Sequence, residues 1–288
     1  MLTLKSTVLG LATLAILGLA VTPAAHAQPA SPIAVTGFNR DVVVGSTDTT
    51  ANTQTFDAYN EWGFYSTDSA AAGTTPVPGG LPANGVVTST NGQFQFASYL
   101  SNNALLISTN SSISTKAGLP TGTTYSYSPS GTLTLTSAGK YSSIGVMSSD
   151  VYGPSTLQVS FTYSDGSTVV SSQALNVQDW YATASNSILS TERIGVGAYS
   201  SAPNPTSGNG PKFFEDYFTT DPTKTLSSIT FTDLADNTTG GNATGHELAG
   251  IFAINGVAAA PEPGETAVLM LGGLGLLGLI ARKRRANA

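Results

Sequence analysis

Two short segments carry the side chains that could do chemistry. Asp179-Trp180-Tyr181 sets a carboxylate beside two large rings, and Glu61-Trp62-Gly63-Phe64-Tyr65 repeats that composition. Arg193 is the next cation downstream of the first segment. Rings of this size stack on the apolar face of a sugar, while carboxylate and guanidinium groups hydrogen-bond its hydroxyls. Asp179, Trp180, Tyr181 and Arg193 are therefore the candidate ligand face. The competing use for the same rings is to fill a core, as buried aromatics commonly do.

Other chemistries find fewer parts. The region 28–260 holds four glutamates, Glu61, Glu192, Glu215 and Glu247, with Asp216 beside Glu215. Glycoside hydrolysis needs two carboxylates about 5–5.5 Å or about 6.5–9.5 Å apart, and sequence does not give that separation. No catalytic residue is assigned, and the chain is read as a non-enzyme. There is no cysteine, so disulfides, thiol nucleophiles and thiolate ligands are excluded. The two histidines are His26, near the N-terminus, and His246, in the Gly-rich polar segment Asn242–Glu247, which reads as a surface loop. No cofactor is expected. Asp233 and Asp236 are the oxygen donors that a structural calcium would use, although their spacing is not an EF-hand and a solvated acidic turn is the plain reading.

The elements that must position these groups read as strands. Leu157, Val159, Phe161 and Tyr163 alternate with polar residues, Asp165-Gly166 follows, and a second strand runs over 167–177. Asp-Gly between alternating segments is a strong hairpin signal. Similar patterns occur at Ile33–Val44, Gln93–Leu100, Ala104–Ser108, Thr132–Thr136, Lys140–Ser148, Ser227–Thr232 and Ala249–Val257. No stretch of ten or more residues in the body has helical periodicity. The expected fold is all-β, a single jelly-roll-like antiparallel β-sandwich over residues 28–260. Its long connections are Thr67–Leu81, Asn110–Tyr127 and Tyr199–Pro211.

Both ends read as targeting segments. Lys5, the apolar run Val8–Val21 and Ala25-His26-Ala27 make a signal peptide over 1–27, cut after Ala27 by signal peptidase. At the other end, Pro261-Glu262-Pro263 precedes the uncharged run Thr266–Ala281, a short transmembrane helix of 16 residues. That is about 24 Å at ~1.5 Å per residue, below the usual span of about 20 residues. Arg282-Lys283-Arg284-Arg285 then forms a cytoplasmic stop, which leaves the body on the opposite side. Gly273, Gly275 and Gly278 match a dinucleotide-binding spacing, but that motif needs a following helix and a distant acid, and the chain ends ten residues later.

The order of tripeptide, short span and basic end resembles the PEP-CTERM sorting signal over 261–288. That resemblance implies recognition by exosortase, transient inner-membrane anchoring with the body periplasmic, and release to the cell surface or extracellular matrix. Segments Gly37–Val43, Asn60–Gly63, Gly80–Pro82, Asn102–Leu106, Tyr163–Ser167, Asp179–Tyr181 and Ile251–Gly256 are similar to secreted galactose-binding-type jelly rolls that precede such signals. The resemblance implies a structural or adhesive role in an exopolysaccharide setting; the alternatives are a carbohydrate-binding module with a defined ligand face, or a polysaccharide hydrolase. Residues 28–260 hold six basic and 15 acidic residues, a net charge of −9 against −6 for the whole chain. That balance opposes nucleic acid as a partner. Intact-mass analysis of surface-exposed protein should return a chain that starts at Gln28 and lacks Arg282–Arg285; surface protein that keeps the basic cluster contradicts the sorting reading.

Overall fold

A computed structural model describes residues 28–72, 79–119, 124–197, 200–204, 210–234 and 245–260. Ala27, Asp236, the tripeptide Pro261-Glu262-Pro263, the run 266–281 and the cluster Arg282-Lys283-Arg284-Arg285 lie outside the described residues. Among the described residues no helix is long and apolar enough to cross a membrane.

Eight strands carry the architecture: β1 (Ser31–Ile33), β2 (Ser130–Gly139), β3 (Tyr141–Val151), β4 (Ser155–Tyr163), β5 (Thr168–Val170), β6 (Lys212–Thr219), β7 (Leu226–Asp233) and β8 (Leu248–Ala258). They form two antiparallel sheets. The first runs β1-β8-β3-β6, with Leu105–Ile107 also on β8 and Ser187–Ser190 beyond β6. The second runs β2-β7-β4-β5, with Val35–Thr36 outside β2 and Leu175–Val177 also on β4. Orders 1-8-3-6 and 2-7-4-5 are those of a jelly roll, in which paired strands fold back across two sheets. The all-β sandwich expected from the alternation is the fold observed.

The second sheet follows a simple rule. Along β4 buried and half-buried residues alternate over all nine positions, with Leu157, Val159 and Phe161 inward. Its outer face is lined by hydroxyls that pair across strands: Thr132 with Thr230 at 2.8 Å, Ser130 with Thr232 at 3.0 Å, Thr162 with Thr168 at 3.2 Å. These pairs use hydroxyls and not charges on the solvated face.

The first sheet is different because both of its faces are covered. Ile144, Val146, Phe218 and Ile254 meet the second sheet in one core. Met147, Val151, Phe213 and Phe252 face away from it, into a second core built with Phe56, Phe64, Phe94 and Trp180. β8 is consequently buried without interruption from Leu248 to Gly256. Described residues within 38–104, 108–129, 178–186 and 191–211 supply this third layer. It contains the sheet Ser201–Asn204, Arg193–Gly195, Trp62–Tyr65, Val43–Val44 and the hairpins Val86–Thr88/Gln93–Gln95 and Ser112–Ser114/Thr124–Ser126.

Several expectations are corrected here. Ile33–Val44 is not one strand: the chain leaves the second sheet at Gly37, whose φ is +108° and whose added Cβ would lie 2.3 Å from the Thr132 carbonyl oxygen. Val43–Val44 then pairs in parallel with the Trp62–Tyr65 strand of the third layer. The segment Gln93–Leu100 is a strand only over Gln93–Gln95, and the three long connections contain short elements. Asp165-Gly166 does turn the β4–β5 hairpin, with Gly166 at φ +82°.

Phe252 joins the layers: its ring lies 5.4 Å from Phe56, 5.7 Å from Phe64 and 4.8 Å from Phe213. Phe252→Ala should destabilise the fold by about 3–5 kcal/mol, read as a lowered denaturation midpoint; a change under about 1 kcal/mol would show that the third layer does not depend on this core.

Candidate functional site

The residues singled out from sequence converge on one cluster. A tight hairpin sets its first part. The Asp57 N–H donates to the Trp62 carbonyl at 2.8 Å and the Trp62 N–H to the Asp57 carbonyl at 3.2 Å. Glu61 closes the loop at φ +56°, an unusual conformation for a residue with a side chain. Trp62 then enters its strand opposite Gly195, which brings it beside Arg193.

The second part is anchored on β3. The Asp150 N–H donates to Gln178 O at 2.9 Å, and the Trp180 N–H donates to Asp150 O at 2.7 Å. Asp179 Oδ1 accepts the Tyr181 N–H at 2.8 Å, which fixes the turn that carries both rings. Trp180 is 3% exposed and packs against Phe56 at 5.5 Å and Phe64 at 6.0 Å. It therefore belongs to the core and is not itself a stacking platform, whereas Tyr181, Tyr59 and Tyr152 are half-buried at the edge.

Arg193 joins the two parts. Its guanidinium carbon lies 4.4 Å from the Trp62 ring centroid, 5.9 Å from Trp180 and 5.7 Å from Tyr181. These rings hold the cation by their π faces. Its Nε is buried with no hydrogen-bond partner, and no carboxylate among the described residues forms a salt bridge with it. The nearby acids are engaged elsewhere. Asp57 accepts the Asn60 N–H at 3.0 Å and Asn60 Nδ2 at 2.8 Å. Glu192 accepts the Tyr65 hydroxyl at 2.7 Å. Burial raises the Asp57 carboxyl above its ordinary range, and the Arg193 field only partly opposes that.

Around this pair runs an aromatic rim that sequence reasoning did not find. Tyr59 stacks on His246 at 4.0 Å, and Tyr152 meets Tyr59 at 5.8 Å and His246 at 5.7 Å. Asn60 Nδ2 also donates to the Tyr152 hydroxyl at 2.5 Å. Burial pushes the Tyr152 hydroxyl up to about 12. The Tyr181 hydroxyl and His246 Nδ1 are buried without partners. His246 is thus part of a ring stack, not the free loop residue that its Gly-rich context suggested. The one local signal was Asp57-Ala58-Tyr59-Asn60, a polar turn directly ahead of the aromatic strand.

The remaining acids are dispersed. Glu215 accepts Ser89 Oγ at 2.7 Å, Asn91 Nδ2 at 2.8 Å and the Tyr217 hydroxyl at 3.2 Å, so it clamps the Val86–Thr88/Gln93–Gln95 hairpin onto β6. Asp216, one residue on and so on the opposite face of β6, accepts Asn186 Nδ2 at 3.2 Å. Glu61 meets the Tyr125 hydroxyl at 3.4 Å, and Glu247 accepts Asn110 Nδ2 at 2.8 Å. Asp233 Oδ2 accepts the Thr109 N–H at 3.0 Å. Among the described residues no group of three or more His, Asp or Glu side chains is placed to hold a metal.

No family model and no curated protein matches the chain. Among solved structures it is similar to carbohydrate-binding modules of family 29. A variant of the module CBM29-2, complexed with cellulohexaose, is 9% identical, with 52% of this chain and 78% of that chain covered and a TM-score of 0.26. A second CBM29-2 variant is 12% identical over 62% of this chain and 96% of that chain, with a TM-score of 0.29. CBM29_1 from Piromyces equi is 12% identical over 50% of this chain and 74% of that chain, with a TM-score of 0.24. The strand order, and not this likeness, carries the fold assignment.

Burial raises several carboxyls: Asp41 and Asp216 to about 6, and Asp57, Asp150 and Asp179 also upward. The folded chain therefore binds more protons than the unfolded chain between about pH 4, the ordinary aspartate value, and about pH 6. Stability is greatest at the acid end of that window and falls as pH rises through it. Asp165 and Asp221 are held low by hydrogen bonds from Ser167 and Thr223, and act only below about pH 4. Thermal denaturation should show a melting temperature that falls from pH 4.5 to pH 7, with a shallower fall in Asp150→Asn; a melting temperature that rises over this range contradicts the assignment.

Proposed function

We propose that this chain is an exported, non-catalytic polysaccharide-binding protein of the cell surface or extracellular matrix. Signal peptidase and exosortase process its two ends, and its structural or adhesive role is exerted through the Arg193 cluster. The observation that supports this reading is the association of half-buried tyrosines with a cation whose Nε–H is unused by the protein. A sugar ring offers both of the surfaces that such a cluster lacks, an apolar face for Tyr181 and oxygen acceptors for Arg193. The dispersal of the glutamates over separate hydrogen-bond networks favours binding over hydrolysis, since the hydrolase reading needs two carboxylates that face one bond.

The corrected position of Trp180 changes which residue tests the site. Trp180→Ala would remove a core ring and lower stability, whereas Tyr181→Ala removes a ring from the edge. In a polysaccharide pull-down and glycan array, the full-length protein should bind saturably, and Tyr181→Ala should weaken binding roughly tenfold while the melting temperature stays close to that of the parent. Binding that is unaffected by Tyr181→Ala in a folded variant places the ligand elsewhere and contradicts the proposal.

A further inference from the structure

We infer that the Arg193 cluster reads a carboxylate carried by a sugar, so that the ligand is an acidic, uronic-acid-bearing polysaccharide. The inference rests on the polysaccharide-binding reading above and names its ligand class.

A guanidinium group has five N–H donors in a planar fork and no acceptor. In this protein the rings of Trp62, Trp180 and Tyr181 occupy its surroundings at 4.4, 5.9 and 5.7 Å. Rings satisfy a cation through its charge, but they accept few of its N–H bonds. Nε is left buried with no partner. Asp57, a carboxylate that feels its field, accepts from Asn60 at 3.0 and 2.8 Å and is held toward its neutral form by burial. A partly buried cation with unused donors is costly to maintain. The group that relieves that cost best is a planar anion with two oxygens, since Arg–carboxylate pairs form two parallel charge-assisted bonds.

The unused groups nearby point the same way. The Tyr181 hydroxyl is buried without a partner, on a ring whose centroid lies 5.7 Å from the same cation, and its O–H is a further donor. A neutral sugar hydroxyl accepts from such donors through one uncharged oxygen, a weaker match to a guanidinium than two charged oxygens. A sugar carboxylate presents acceptors only, on a ring whose apolar face can lie against Tyr181.

The net charge of −9 over residues 28–260 does not prevent this. Charges more than about 8 Å away are largely screened at physiological salt, and contact is decided by the local pair. Nor would a lysine serve equally: its ammonium is a point donor that cannot lie flat on Trp62 and offer a fork.

The test uses the full-length protein with oligogalacturonate and with the same oligomer after reduction of its carboxyls to neutral hydroxymethyl groups, by calorimetric titration. The acidic oligomer is expected to bind at least about tenfold more tightly than the reduced one. That preference should disappear in both Arg193→Lys and Tyr181→Phe, with melting temperatures near the parent's in at least the second. Equal affinity for both oligomers overturns the acidic-ligand inference and leaves polysaccharide binding intact. Failure to bind either oligomer or any polymer of a glycan array overturns both readings. An unchanged preference in folded Arg193→Lys places the carboxylate elsewhere and overturns the inference. Acetate binding as tightly as the acidic oligomer overturns the sugar class, because the site would then read a carboxylate alone.

Discussion

The first sheet of this sandwich has no face turned to water, and the rest of the structure follows from that constraint. β8 is buried from Leu248 to Gly256, so apolar side chains emerge from both of its sides. An ordinary two-sheet jelly roll covers only one side. The other side has to be closed by segments outside the eight principal strands, and this chain does so with the rings of Phe56, Phe64, Phe96 and Trp180 packed on Phe213 and Phe252. Hydrophobic burial thus makes the described residues that pack on this face an ordered layer and not a surface loop.

That layer ends in the candidate site, and packing and recognition are connected there. Where the aromatic core reaches the edge, Trp62, Trp180 and Tyr181 surround Arg193. The same rings that close the core hold the guanidinium in one place, so a ligand does not have to order it. Asp57, which feels the Arg193 field, is engaged by Asn60, and Glu192 is engaged by the Tyr65 hydroxyl. The result is a ring-held cation whose buried Nε–H has no partner, in a strongly acidic protein.

The sequence showed some of this plainly and hid the rest for physical reasons. The β4–β5 hairpin was legible because one face of the second sheet is solvated, so Leu157, Val159 and Phe161 alternate with polar residues. Trp62–Tyr65 was not legible as a strand because all four residues are buried and no alternation survives. Lys212–Thr219 was missed because Glu215-Asp216 interrupts its apolar pattern, and only Ser89, Asn91 and Tyr217, distant or adjacent in sequence, show how Glu215 is accommodated. At the site, Trp180, Tyr181 and Arg193 could be chosen from residue type alone. Their division into a core ring and a half-buried edge could not, nor could the recruitment of Asp57, Tyr152 and His246 from separate loops, because that depends on which chain segments cover the first sheet.

The central claim is that ring packing holds the Arg193 fork and that a ligand, not the protein, completes its hydrogen bonds. The most direct measurement is the NMR signal of the Arg193 Nε–H in 15N-labelled protein, assigned by its loss in Arg193→Lys. The account predicts one sharp resonance displaced by the ring currents of Trp62 and Tyr181, which moves further when oligogalacturonate is added and returns when it is removed. A resonance at the position of a free, solvated arginine, unmoved by the acidic oligomer, would contradict it.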